Sequence, residues 1–120
     1  MREQALRCCI IGKGGLAVEC MQLLAERGHE VRYVISTDEK LKRWARAHQA
    51  RQTDSSRALP ADFNLAEVDY LFSIANGEIL PPRLLEQPRK LAINYHNGPL
   101  PKYAGVHATS WAILNDEKLH

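Results

Sequence analysis

The chain has 120 residues, enough for one domain with its own core, and its 45% hydrophobic and 25% charged fractions are ordinary globular values. Sixteen Lys and Arg against fourteen Asp and Glu leave a formal charge of +2, which excludes nucleic-acid binding driven by net charge alone. No apolar run is long enough to span a membrane, and the opening "MREQALRCCIIG" has too short an apolar stretch for a signal peptide. The three cysteines are an odd number, and Cys8 and Cys9 sit together in an apolar run. They read as reduced and buried thiols of a cytoplasmic protein.

Taken in chain order, "RCCIIGKGG" is an apolar run into glycines, the pattern of a buried strand and a tight turn. "LAVECMQLLAER" follows as a helix, with Leu16, Cys20, Leu23 and Leu24 at helical spacing and Gly28 as its stop. "EVRYVIS" is a second strand. "STDEKLKRWARAHQA" opens with Ser36 three residues before Glu39, the spacing of a capping box. Leu41, Trp44, Ala45 and His48 fall on one face of this helix, so His48 is a helix-face residue and the basic run "KLKRWARAHQAR" a solvated face. Residues 51–67 have room for one short strand and a short helical turn.

"VDYLFSIA" is a strand so apolar that both of its faces must be covered. "NGEILPPRLLEQP" is a loop and then a short helix with Pro82 in its first turn. "KLAINYH" is the next strand, and "HATSWAILN" a helix burying Trp111, Ala112 and one of Ile113 and Leu114. Strands alternating with helices predict an α/β fold, a Rossmann-like, mostly parallel sheet with helices on both faces. Ligands of such sheets bind outside the carboxyl ends of the strands.

Two stretches can carry chemistry. The first is "GKGG", whose backbone N–H groups at the head of a helix suit an anion. Ala17 stands where a dinucleotide fingerprint needs its third glycine, so a plain strand-to-helix turn explains the stretch equally well. Asp38, just after the second strand, is placed as a ribose-binding acid would be, which keeps a nicotinamide-dependent dehydrogenase among the readings. The second stretch is "AINYHNGPLPKYAG". Asn94 and His96 lie one residue apart, so in a strand they share a face, with Tyr95 on the other. A fixed amide donor beside an imidazole that titrates near neutral pH can stabilise an oxyanion and move a proton. A pair satisfying loop backbone groups is the structural alternative. The prolines and glycines that follow make a stiff loop that a ligand can approach closely.

The order of these residues resembles the folate-dependent formyltransferases: Asn94-Tyr95-His96, then Leu100-Pro101, then Tyr103-Ala104-Gly105 and "SWAILN". "ANGEILP", residues 75–81, is similar to that family's pterin-lining loop. The resemblance runs from the first strand to His120 and implies a formyltransferase catalytic domain over residues 1–120. It implies 10-formyltetrahydrofolate as formyl donor and no metal. Asn94 and His96 would be catalytic, contacting the oxygen of the tetrahedral intermediate. Ala75, Asn76, Gly77, Glu78, Ile79, Leu80 and Pro81 would bind the folate. Gly12, Gly14, Leu100 and Pro101 would face the acceptor amine, with the "GKGG" turn where some relatives hold an acceptor's phosphate.

The family's third catalytic group, an Asp, lies some tens of residues beyond the Asn-x-His pair, past His120. The resemblance therefore implies a domain incomplete at its C-terminus, inactive on its own, with a cut sheet prone to self-association. The direct passage from "VIS" into a helix lacks the long basic insertion of the tRNA enzymes. The loop "NYHNGPLPKYAGVHATSWAILN" is most similar to formylation domains of nonribosomal peptide synthetases, which implies an amine on a carrier protein. Formylation of amino-sugar nucleotides, and a non-catalytic folate-binding or assembly module, are the alternatives.

Overall fold

The computed structural model describes residues 5–77 and 79–95. Strands β1 (Arg7–Gly12), β2 (Glu30–Ile35), β3 (Arg51–Thr53), β4 (Tyr70–Ile74) and β5 (Leu91–Tyr95) form one sheet in the order β3-β2-β1-β4-β5. Every pairing is parallel. Among the described residues, helices α1 (Gly14–Glu26), α2 (Glu39–Ala47) and α3 (Pro82–Leu85) and a 3-10 turn, Leu65–Glu67, make the connections. The chain is thus Rossmann-like α/β, with β1 central and the order reversing between β1 and β4. The short strand and helical turn expected within residues 51–67 are β3 and the 3-10 turn. The segment "HATSWAILN" lies outside the described residues. Among these, no helix is long and apolar enough to cross a membrane.

The sheet is covered on both faces because its strands are apolar on both. Ile10, Val31, Val34 and Ile74 pack under Ala17 and Met21 of α1 and Leu41, Trp44 and Ala45 of α2. Cys9, Ile11, Tyr33, Ile35 and Leu71 pack on the opposite side against Leu65, Val68, Leu80 and Leu84. Val31 and Val34 share a face despite their odd spacing. The register with β1 shifts between Cys8 and Cys9, so that Cys8 meets Val31 and Cys9 meets Tyr33. Arg32 is the extra residue of this bulge, and it sends Tyr33 to the other side.

Two local expectations are corrected. In α1 the fully buried residues are Ala17 and Met21, with Cys20 and Leu24 only partly covered, while Leu16 and Leu23 stay 45% and 50% exposed. The helix is apolar around much of its circumference, and Ala17 and Met21 mark the side that faces the sheet. In α2 the N-cap is Asp38, not Ser36: its carboxylate accepts the Lys40 N–H at 2.8 Å. Ser36 is buried and points back, its hydroxyl donating to the Gly12 carbonyl at 2.6 Å. His48 caps the end of α2 and stacks on Trp44, ring centroids 3.8 Å apart.

Candidate active site

The carboxyl ends of β1, β2 and β4 meet at one edge, where backbone geometry brings the loops close. Gly12 ends β1 against β4, and a Cβ placed on it would stand 2.0 Å from the Ile74 carbonyl oxygen. Only glycine fits this contact. The Lys13 N–H donates to that same oxygen at 3.3 Å, and the Ala75 N–H donates to the Tyr95 carbonyl at 3.3 Å. Ala75 adopts φ 54°, a left-handed conformation uncommon for a residue with a side chain, where the chain leaves β4 for the 75–81 loop.

One transverse row of the sheet runs Ile35, Ile11, Ser73, Asn94, each in register with the next. In-register neighbours of a parallel sheet share a face, so half-buried Asn94 lies on the side of buried Ser73 and Ile11. Tyr95, on the other side, is 48% exposed. The expected opposition of Asn94 and Tyr95 holds. His96, Leu100, Pro101 and Glu78 lie outside the described residues.

A cleft of about 180 Å³ opens at this edge, lined by Ile11, Gly12, Lys13, Ile35, Ser36, Thr37, Asp54, Asn76 and Gly77. It brings together Gly12, expected on the acceptor side, and Asn76 and Gly77, expected on the folate side. Ala75 begins the loop, Ile79 projects to solvent at 70% exposure, and Leu80 is anchored in the core before Pro81 precedes α3. At Gly77, which lines the cleft, an added Cβ would meet nothing within 4 Å, so the backbone there is open to close approach.

Sequence reasoning missed Lys13, Ser36, Thr37 and Asp54 as lining residues. Their common signal is position, immediately after the carboxyl end of β1, β2 or β3. Asp54 accepts from Gln52 at 3.1 Å and pairs with Lys42 at 3.3 Å, and these contacts, the Gln52 hydrogen bond first, hold its carboxyl below the usual range.

At the head of α1, the Gly14 N–H donates to Asp38 Oδ2 at 2.7 Å. That bond, and then the one from Lys40, holds the Asp38 carboxyl below its ordinary value. Asp38 is therefore turned inward onto the turn, not outward as a ribose-binding acid.

The arrangement is that of a parallel α/β protein whose polar groups converge at the switch point of its sheet. The formyl transferase family model matches residues 7–120, and the chain belongs to that family. It is 30% identical to the methionyl-tRNA formyltransferase of Alkaliphilus oremlandii (strain OhILAs) across 94% of this chain and 42% of that protein. It is 28% identical to that of Pelotomaculum thermopropionicum, covering 94% and 41% of the two chains. Across a shorter stretch, 42% of this chain, identity with the Clostridium novyi enzyme of the same name reaches 46%. The chain thus spans well under half the length of these relatives. These three relatives carry the methionyl-tRNA name, so the expected likeness to peptide-synthetase domains gains no support from them. Among solved structures, the L-tryptophan dehydrogenase from Nostoc punctiforme superposes with a TM-score of 0.52 over 90% of this chain and 32% of its own. At 17% identity that likeness concerns the fold alone.

Proposed function

We propose that this chain forms the formyl-donor half of an enzyme that moves a formyl group from 10-formyltetrahydrofolate to an acceptor amine. The observation that carries the reading is the family match over residues 7–120, in a chain whose Asn94 stands at the carboxyl end of β5. The folate lies along residues 75–81, its pterin against the main chain from Ala75 to Pro81. The amine attacks the formyl carbon, and the carbonyl oxygen becomes an oxyanion. Asn94 donates its amide N–H to that oxygen, and His96, two residues on, handles the proton that the attacking nitrogen loses. As the intermediate collapses, the C–N10 bond breaks with that proton delivered to N10, which leaves the formamide and releases tetrahydrofolate. Gly12, Gly14, Leu100 and Pro101 face the acceptor.

The acceptor we favour is the α-amine of an aminoacyl ester. The names of the relatives support methionyl-tRNA as that ester. A second reading, an aminoacyl thioester on a peptide-synthetase carrier, draws on the short passage from β2 through the Asp38 cap into α2, which has no basic insertion. Both share the same attacking group. The test is an assay of the full-length protein with 10-formyltetrahydrofolate and a panel of methionyl-tRNA, an aminoacyl carrier-protein thioester and an amino-sugar nucleotide. Formylation of one of the two esters is expected. Transfer to the sugar alone would overturn the acceptor, and transfer to none of the panel would overturn the function.

A further inference from the structure

We propose that Asp38 is a specificity-determining residue, whose carboxylate fills the anion position at the head of α1 and bars an acceptor's phosphate from the β1–α1 turn. The word acceptor rests on the proposed formyl transfer; the exclusion of phosphate is a property of the turn itself.

The head of a helix that follows a glycine turn ordinarily offers free N–H groups to an external anion. Here the Gly14 N–H is already given to Asp38 Oδ2 at 2.7 Å, and the other carboxylate oxygen takes the Lys40 N–H at 2.8 Å. The carboxylate joins two helix starts, α1 and α2, and cannot swing away without giving up both bonds. Its main chain is held as well. The Asp38 N–H donates to Ser36 Oγ at 3.0 Å, and that hydroxyl donates to the Gly12 carbonyl at 2.6 Å. The carboxylate is thus a built-in anion, with its position set from both strands that flank it.

The charges around the turn are of both signs. Lys13 is a cation lining the cleft, and its field already acts on Asp38. Asp54 is a carboxylate of the lining, paired with Lys42 at 3.3 Å. A phosphate seeking the Gly14 N–H would meet the Asp38 carboxylate that already holds it, and the two like charges repel. The remaining polar lining, Ser36, Thr37 and Asn76, is uncharged. A phosphate therefore finds the turn already occupied, which disfavours phosphoribosyl-type acceptors seated on it.

The experiment follows the Gly14 and Gly15 amide resonances of the full-length protein during titration with inorganic phosphate at constant ionic strength. No saturable shift is expected in the parent protein. Asp38→Ser keeps an oxygen for the Lys40 N–H but loses the charge and the reach to Gly14. It should gain a saturable shift at both amides, with affinity at least about tenfold above the parent's. Saturable phosphate binding at these amides in the parent would overturn the proposal, as would a folded Asp38→Ser protein that gains none. If Asp38→Ser does not fold, Asp38→Asn, which preserves shape and removes charge, decides in the same way. A parent protein that formylates nothing would sink the proposed function and leave the phosphate titration as decisive as before.

Discussion

At the scale of single residues, one close backbone contact shapes the described edge, and the proposed chemistry rests on one pair of side chains. Gly12→Ala puts a methyl group 2.0 Å from the Ile74 carbonyl oxygen, so strand β1 or β4 must move. The expected destabilisation is about 3 kcal/mol, at the upper end of the overpacking range, read from urea denaturation. A loss under about 1 kcal/mol would mean that the two strands do not meet as described. For the proposed chemistry, Asn94→Ala and His96→Ala should each lower turnover roughly a hundredfold or more with the fold intact, as when an oxyanion donor or a general acid/base is removed. Tyr95→Phe should leave turnover near the parent's, because Tyr95 faces away from Asn94. Near-normal turnover in a folded Asn94→Ala protein would remove the amide from the mechanism. Gly77 is the complementary case: a Cβ there meets nothing within 4 Å, so a side chain can start from it without a clash. Gly77→Trp should therefore fold normally and weaken binding of 5-formyltetrahydrofolate in calorimetry. Unchanged affinity would move the folate away from residues 75–81.

At the scale of elements, Asp38 ties the starts of α1 and α2 together. Its carboxyl is held below its ordinary value, chiefly by the Gly14 N–H and then by Lys40. A carboxyl whose folded pKa is depressed adds stability above its unfolded value, near about pH 4, and that contribution fades as pH falls through the lower folded value. Asp38→Ala should cost about 1 kcal/mol at neutral pH through the lost cap. Asp38→Asn should remove the acid-dependent part, so parent and variant stabilities converge as pH drops below about 4. Urea midpoints collected across that range test this, and a constant gap between the two curves would assign the acid sensitivity to other carboxylates. Helix α2 shows how a cap is chosen between neighbours. Ser36 and Asp38 both suit the role by residue type, and burial decides: Ser36 is 4% exposed and engaged with Gly12, which leaves Asp38 to cap.

At the scale of the whole molecule, the central strand carries its own reporter of cooperativity. Cys8 and Cys9 lie fully buried in β1, flanked by β2 and β4. Burial pushes the Cys8 thiol up to about 12 and the Cys9 thiol also upward, while half-buried Cys20 is raised by the same cause. Thiolates are the reactive form, so at pH 8 a thiol reagent should modify Cys20 first and reach Cys8 and Cys9 only on unfolding of the sheet. Mass spectrometry of time points with and without urea resolves the three sites. Labelling of Cys8 or Cys9 as fast as Cys20 in native buffer would show that β1 opens locally.

What the sequence by itself determined follows from periodic pattern and local chemistry. The apolar runs at β1, β2, β4 and β5, the Pro82 start of α3 and the Gly28 stop of α1 were all legible, because each depends on neighbours within a turn or a strand. The parallel α/β class followed from their alternation, and the likeness to formyltransferases from the order of residues 75–81 and 94–105. Tertiary structure decided what depends on partners far apart in sequence. The bulge at Arg32, which puts Val31 and Tyr33 on opposite faces, is set by the pairing of β2 with β1. The buried side of α1 is set by where Ala17 meets the sheet, and its leucines alone misdirect the reading. The same holds for the "GKGG" turn. Its glycines suit an anion, but which anion occupies it depends on a carboxylate 24 residues on, brought within 2.7 Å only when β2 lies beside β1.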